Sequence, residues 1–261
     1  MQNNPKPYQS DATIKTLFTT IVFVSIAVVS CAVQAQGKTE ALYGSPDDPL
    51  VAEVLGLKIH SRDLDEMKYV ILTKLVDRYA ADQGIEVEAA EIDAYVESMR
   101  QAAGEDRRQQ QVQRNELSRK LSDPDLTDSE RQPLEQELAA LNEILDNTAD
   151  TAKDTAEEQA ARRQIAAAFI RQWKINRALY RQYGGRIIYQ QGGPEPLDAY
   201  RLFLEQQAGA GAFRILDKTF ESTFWKYYIT DSPHTFYPAG SEEEAQAFET
   251  PWWLAKPSGS Q

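Results

Sequence analysis

Few residues in this 261-residue chain have types and spacings suited to catalysis or metal binding. His60 and Asp63 lie one helical turn apart and could hold a metal ion, but a place at the start of a helix explains both. Asp65 beside Asp63, and the acidic run 242–244, could supply paired carboxylates for acid–base chemistry, yet helix-start charge and solvated surface are simpler interpretations. Residues 192–194 lack the further glycines and the lysine of a phosphate-binding loop. We therefore predict no catalytic residue, no metal ligand and no cofactor.

The residue types that remain for function are aromatic and large apolar. Of 25 aromatic residues, 18 lie in residues 169–261, including all four tryptophans. Such side chains give a protein that binds unfolded polypeptides a large contact area at little conformational cost. The candidate peptide-binding residues are Met67, Ile71, Leu75, Trp173, Tyr180, Phe224, Trp225, Tyr228, Trp252 and Trp253. The competing interpretation is a buried core, and for the last two residues the alternatives are a latch on the body or an anchor for a partner.

Composition excludes several classes of protein. A single Cys and two His are too few for a disulfide-stapled module or a Cys/His zinc site. The mean hydropathy of -0.54 excludes a polytopic membrane protein. The formal net charge of -12 argues against broad nucleic-acid binding, because phosphate neutralisation needs clustered Lys and Arg.

The N-terminal segment, residues 1–31, is typical of the signal of an exported protein. Residues 16–30 are uncharged and mostly apolar, which suits a signal-peptide core better than a membrane span. The sequence VVSC that ends at Cys31 resembles a lipobox, so this cysteine is the predicted lipidation site. Two alternatives stay open: cleavage before Gln36, which releases a soluble protein, and retention of residues 13–33 as a signal anchor. All three predict an exported, periplasmic protein, in which any attachment to a membrane comes from the N-terminus.

After a tether at residues 32–50, the pattern predicts the elements that would position these side chains. Two short apolar runs flank a glycine within residues 51–59, which predicts a small β-hairpin. Ser61 is the predicted cap of a helix. Apolar residues at three- and four-residue spacing from position 64 to position 79 predict that this helix is long and largely buried, and Gly84 ends it.

The order of these features resembles the opening of the SurA-type chaperone domain of exported, parvulin-associated folding factors. The resemblance covers residues 51–99: the hairpin, the polar cap, the long helix, the turn Gly84-Ile85, and the helix start Glu91-Ile92-Asp93. A helix at residues 160–183 resembles the one that closes such domains. Leu55 stands where the family usually has Asn before the turn glycine. The resemblance implies polypeptide binding, while the mixed α/β block with paired histidines of a parvulin isomerase is missing from the sequence.

Residues 105–146 predict a charged helical hairpin inserted into this domain, which spans residues 51–183. A charged helix begins near residue 106, the sequence Asp123-Pro124-Asp125 breaks it, and Thr127 with Glu130 fits a capping box for its partner. Leucines at helical spacing predict that the two helices meet along a narrow seam. A solvated spacer and a dedicated binding arm both agree with this composition.

Residues 184–261 predict an aromatic-rich helical unit. Residues 186–190 predict a short strand, Pro194 and Pro196 open a helix, and Asp217 caps the last helix. Residues 230–261 predict an extended tail.

These features predict a mainly α fold: a helical SurA-N-like chaperone domain with a small β-hairpin, a charged helical hairpin insertion and an aromatic-rich helical C-terminal unit. The leading hypothesis is an exported chaperone-like protein without prolyl isomerase activity. It would bind unfolded or nascent envelope proteins through an apolar cleft between the 64–82 helix and the 161–228 helices. The alternative is a dedicated accessory subunit or assembly partner of one envelope complex. A lesser alternative is a peptidyl-prolyl isomerase-related protein. No nucleic-acid partner is predicted.

Overall fold

The structure, a computed structural model, describes residues 41–147, 155–232 and 234–254. The predicted signal segment, Cys31 and most of the tether lie outside the described residues. The described residues belong to one compact unit. The described ranges are mainly helical with two small sheets, which confirms the predicted class. In this part of the chain, no helix combines the length and the apolar character that a transmembrane span requires.

Along the described ranges, three strands are followed by four helices, and then by two strands, a helix, a strand and two helices. The strands are β1 (Leu42–Tyr43), β2 (Leu50–Val54), β3 (Leu57–His60), β4 (Ile188–Gln190), β5 (Gly193–Glu195) and β6 (Phe213–Ile215). The helices are α1 (Leu64–Asp82), α2 (Ala89–Leu121), α3 (Asp128–Asn147), α4 (Ala156–Tyr183), α5 (Leu197–Gly209), α6 (Lys218–Ile229) and α7 (Glu242–Gln246).

The larger sheet has the strand order β1-β3-β2-β6. β2 and β3 form the predicted hairpin and pair antiparallel, with Val54 opposite Leu57. β6 comes from far along the chain and pairs antiparallel with β2, with Ala52 opposite Ile215. The sequence pattern does not predict this strand. Its pairing joins the C-terminal region to the N-terminal hairpin in one sheet.

The hairpin turn places two residues at positive φ. Leu55 has a φ of 50° and Gly56 a φ of 81°, the combination of a type I′ turn, which matches the twist of the strands. Glycine adopts this conformation readily, whereas the Cβ atom of leucine is crowded there. The Leu55 side chain is also 40% exposed, so packing offsets little of this strain.

The cap of α1 differs from the prediction. Asp63, and not Ser61, is the N-cap: its carboxylate accepts the N–H of Asp65 at 2.7 Å and that of Glu66 at 3.3 Å. The Ser61 hydroxyl instead accepts the N–H of Asp63 at 2.9 Å. Serine and aspartate cap equally well, so composition alone did not choose between them. At the other end, Gly84 has a φ of 62° and follows the C-cap, as predicted.

α2 is one continuous helix of 33 residues, about 50 Å long at 1.5 Å per residue. The predicted separate charged helix from residue 106 is wrong: α2 continues through Gly104, because one glycine inside a helix costs only about 1 kcal/mol. The predicted break follows at residues 123–125, and α3 packs back on α2. The two helices form the predicted charged hairpin, here called the arm (residues 105–147). The buried leucines of its seam are Leu117, Leu141 and Leu145.

Two apolar cores hold the elements together. The first lies between the larger sheet, α1, the end of α4, α5 and α6. The second lies between α2, α4 and the segment 237–253.

The described part of the predicted tail is therefore not extended: the Tyr237 N–H donates to the Ile187 carbonyl at 2.9 Å, and the chain then forms α7 and packs on the body. Pro194 lies in β5, and only Pro196 stands directly before α5.

Leu55→Asn is expected to stabilise the protein. Asparagine tolerates positive φ better than leucine, so the free energy of unfolding should rise by about 1 kcal/mol. Leu216→Asn is the matched control, because Leu216 is 39% exposed but does not have a positive φ. Urea unfolding followed by circular dichroism measures both variants. An equal change in the two would contradict the account of strain at the turn.

Candidate functional site

The ten predicted peptide-binding residues lie mostly in the two cores. Tyr180, Trp225 and Trp252 are partly exposed. The seven buried members are Met67, Ile71, Leu75, Trp173, Phe224, Tyr228 and Trp253. The members on α1 and α6 belong to the first core, whereas those on α4 and in the tail belong to the second. The set therefore does not line one common surface.

The cleft predicted between α1 and the helices of residues 161–228 is filled at Met67, Ile71 and Leu75. Met67, Ile71 and Leu75 of α1 have no exposed surface, and they belong to one cluster with apolar side chains of the sheet, α4, α5 and α6. The Tyr79 ring of α1 contacts Phe203 of α5 edge-on, with 5.3 Å between ring centroids. The prediction differs from the structure because a binding face and a core face have the same helical spacing. In this conformation a peptide cannot reach these residues.

The C-terminal segment closes the second core. The Trp253 ring lies 5.2 Å from that of Tyr95 on α2 and 5.8 Å from that of Trp173 on α4, measured between centroids. The Ser98 hydroxyl of α2 donates to the Trp253 carbonyl. Trp252 packs against Gly193 of β5, where an added Cβ atom would clash with the indole ring. Of the two alternatives for these tryptophans, the structure shows the first: they pack on the body as a latch.

A polar pocket of about 450 Å³ opens between α1, α4 and α6, and we call it the Glu195 pocket. Glu195 is the last residue of β5 and is partly buried. The Tyr227 hydroxyl of α6 donates to the Glu195 carboxylate at 3.2 Å and accepts from the Gln190 amide at 3.0 Å. The Lys68 ammonium of α1 lies 5.1 Å from the centroid of the Tyr227 ring. The pocket thus combines a carboxylate, a phenol and an ammonium group.

A hydrogen-bond network beneath the pocket fixes the position of this carboxylate. The Asn176 amide of α4 donates to the Pro194 carbonyl at 2.9 Å. The Tyr200 hydroxyl donates to the Asn176 side-chain oxygen at 2.8 Å, and the Gln172 amide donates to both groups at 2.8 Å. Since buried amides and hydroxyls with satisfied partners are held rigidly, the network anchors β5 and with it the adjacent Glu195.

Burial raises the pKa of the Glu195 carboxyl above its ordinary value, although the Tyr227 hydroxyl, His234 and Lys68 act in the opposite direction. Burial, followed by the negative charge of Glu195, also raises the pKa values of Tyr200, Tyr227 and Tyr228. The phenols therefore stay neutral near pH 7 and donate hydrogen bonds, while the carboxylate ionises at a cost. Such a site favours a ligand that supplies positive charge.

Sequence reasoning missed Glu195, Gln172 and Asn176. No motif marks them, because the pocket forms from three separate elements. One local signal was present: Glu195 stands between Pro194 and Pro196, and a charged residue in so stiff a segment has its direction set by the backbone.

The other groups considered for chemistry have structural roles. The His60 ring Nδ1 lies 2.8 Å from the Asp48 carbonyl oxygen, and Asp63 caps α1. Within the described ranges, no group of three His, Cys, Asp or Glu residues is placed to hold a metal ion. A shallow groove of about 780 Å³ beside the end of α1 has a polar lining, in which Lys174 donates to the Glu91 carboxylate at 2.6 Å. Of the three basic side chains in this lining, Lys174 is therefore already paired.

Trp253→Ala is expected to destabilise the protein by about 3–5 kcal/mol, because a large buried aromatic side chain leaves a cavity. Leu254→Ala changes the adjacent, 50% exposed residue and should alter the free energy of unfolding by less than about 0.5 kcal/mol. Urea unfolding of both variants gives these values. Equal, small effects would mean that the latch does not hold the second core.

Glu195→Gln is expected to stabilise the protein at neutral pH. Folding raises the pKa of this carboxyl, so the folded state binds the proton more strongly and the free energy of unfolding falls as pH rises through that pKa. Glutamine cannot ionise, yet it still accepts the Tyr227 hydrogen bond. The urea midpoint of the variant should exceed that of the wild type at pH 7, and the difference should disappear below the ordinary value of 4.5. The control Glu249→Gln changes an exposed carboxylate and should not raise the urea midpoint.

Comparisons with known proteins add no relative to this description. No family model matches the chain, and neither a curated protein nor a solved structure matches it. Function is therefore inferred from the residues and contacts of the chain itself.

Proposed function

We propose that this protein is an exported, non-enzymatic binding protein that serves as a dedicated assembly partner of one envelope complex, built on a SurA-N-like domain without an isomerase. The observation that carries the proposal is the burial of seven of the ten candidate apolar residues in closed cores. A general holder of unfolded chains needs accessible apolar surface, whereas a fixed partner can use a shaped, polar surface.

The order of elements supports the SurA-N-like interpretation. The hairpin β2–β3, the long helix α1, the turn at Gly84 and the start of α2 follow one another as the resemblance implies. α4 corresponds to the predicted closing helix and packs on α2 and α5. The charged hairpin stands between these helices as an insertion that leaves the order of the others unchanged.

The arm is the proposed contact surface. Its leucine seam is buried, so its outer surface is polar and does not require a client to cover it. Residues 105–121 carry five basic and three acidic side chains, whereas residues 128–147 carry one basic and six acidic side chains. Two helix surfaces of opposite charge suit orientation-specific docking, because electrostatic complementarity selects partners and orientation more than it adds affinity.

Attachment to a membrane would concentrate the protein beside its partner. Lipidation of Cys31, retention of residues 13–33 and release by cleavage before Gln36 remain the three proposed fates of the N-terminus. The acidic body is repelled by anionic lipid, so the N-terminus would provide any attachment.

Cross-linking in the envelope, followed by identification of captured proteins, tests this function. We expect one partner at constant stoichiometry, and no protection of a panel of unrelated aggregating proteins by the purified chain. Many different captured proteins, together with suppressed aggregation of the panel, would instead support the holder of unfolded envelope proteins.

Charge reversal on the arm tests the contact surface. Glu135→Lys combined with Glu143→Lys reverses two exposed charges of α3 and should reduce capture of the partner several-fold. Glu249→Lys changes an exposed charge outside the arm and should leave capture unchanged. If both variants capture the partner equally well, the arm is a spacer.

A further inference from the structure

The Glu195 carboxylate is under-satisfied for a charge in its position. Among the residues that the structure describes, its side-chain donor is the Tyr227 hydroxyl, at a long 3.2 Å. Within the described residues no basic side chain forms a salt bridge with it; the nearby Lys68 pairs instead with Asp65 at 3.8 Å. A partly buried carboxylate without a cation is unfavourable, and a ligand that brings a cation removes that cost.

The walls of the pocket are suited to an organic cation. Tyr200, Tyr227 and Tyr228 stand around the carboxylate, and the Lys68 ammonium already lies over the Tyr227 ring at 5.1 Å from its centroid. A cation over an aromatic face is attracted by the ring, and the attraction grows when water is excluded. Lys68 shows that an ammonium group fits this position, although it remains too far from Glu195 for a salt bridge.

We propose that the Glu195 pocket binds the ammonium or guanidinium group of a Lys or Arg side chain presented by a partner polypeptide. The part of the proposal that concerns a polypeptide rests on the function proposed above; the cation site itself does not. The volume of about 450 Å³ falls in the range of about 300–1,000 Å³ typical of ligand pockets. The net charge of -12 draws basic segments toward the surface.

Binding should weaken as pH falls. The carboxylate must be ionised to pair with the ligand, and its pKa is raised by burial, so the loss should begin above the ordinary pH range of glutamate. Arg171 and Asp77 at the rim pair with each other at 2.8 Å. The His234 ring Nε2 lies 2.8 Å from the Tyr227 carbonyl oxygen. The other groups that face the carboxylate are Lys68 on α1, Tyr200 on α5, and Tyr227 and Tyr228 on α6.

The test uses the full chain in detergent and two probes of similar shape: N-acetyl-lysine methylamide and N-acetyl-norleucine methylamide. Methyl NMR shifts of Leu72 and Val76, which line the pocket, report binding. We expect the lysine probe to shift both residues and the norleucine probe to shift neither. Glu195→Gln, which keeps the shape of the pocket, should weaken the lysine probe about tenfold or more. Lys68→Met should strengthen binding of the lysine probe, because the internal cation is removed. Glu249→Gln should leave the affinity for this probe unchanged.

Equal shifts from the two probes, or equal binding to the wild type and Glu195→Gln, would overturn the proposal. A further experiment compares the binding of spermidine with that of a Lys-containing peptide and of the same peptide carrying norleucine. Preference for the Lys peptide supports a polypeptide ligand, whereas preference for spermidine overturns that part. If the lysine probe binds but no envelope partner is captured, the assembly function fails and the cation site stands. If a partner is captured but no probe binds, the cation site fails and the assembly function stands.

Discussion

The rest of the structure depends on one constraint: C-terminal segments must cover the apolar faces of the N-terminal elements. The apolar face of α1 belongs to one core with side chains of the hairpin and with side chains supplied by α4, α5 and α6. β6 completes the same arrangement by pairing with β2. Full burial of one large apolar side chain contributes about 1.5–3 kcal/mol, so a face made of several such residues is a large part of a marginal stability. The long-range contacts therefore decide whether α1 is a binding surface or a core helix.

The packing of the C-terminal segments also determines where the polar pocket lies. β5 is held against α4 by the Asn176 amide, and the chain must then turn immediately into α5. Glu195 falls at this junction, between two prolines that restrict its backbone, so its carboxylate points where the backbone directs it. Removing this carboxylate from water is unfavourable, as the raised pKa reflects. Glutamine would fill the same position without this cost, so the charge is consistent with the cation site proposed above.

Local features were predictable from the sequence, whereas contacts between distant segments were not. The hairpin, α1, the arm and α4 each have their own periodicity, cap or breaker, and these signals depend on a few neighbouring residues. The separate helix from residue 106 was a wrong prediction because a high density of charge does not interrupt a helix, and one glycine costs too little to end it. β6 has only three residues, and its pairing with β2 depends on residues more than 150 positions away. The same limit applies to Glu195, whose neighbours Lys68 and Tyr227 come from α1 and α6.

The continuity of α2 links the body to the arm. The N-terminal part of this helix contributes Tyr95 to the second core, and its distal part forms one side of the arm. A spacer connected by a flexible joint would not keep a fixed direction, but an unbroken helix carries the orientation set by the core along its length. Trp253 packs on Tyr95 near the base of the arm, so the latch and the arm share one support. By holding α2 in place, the aromatic residues fix the direction of the arm, whose charged surfaces are the proposed contact surface.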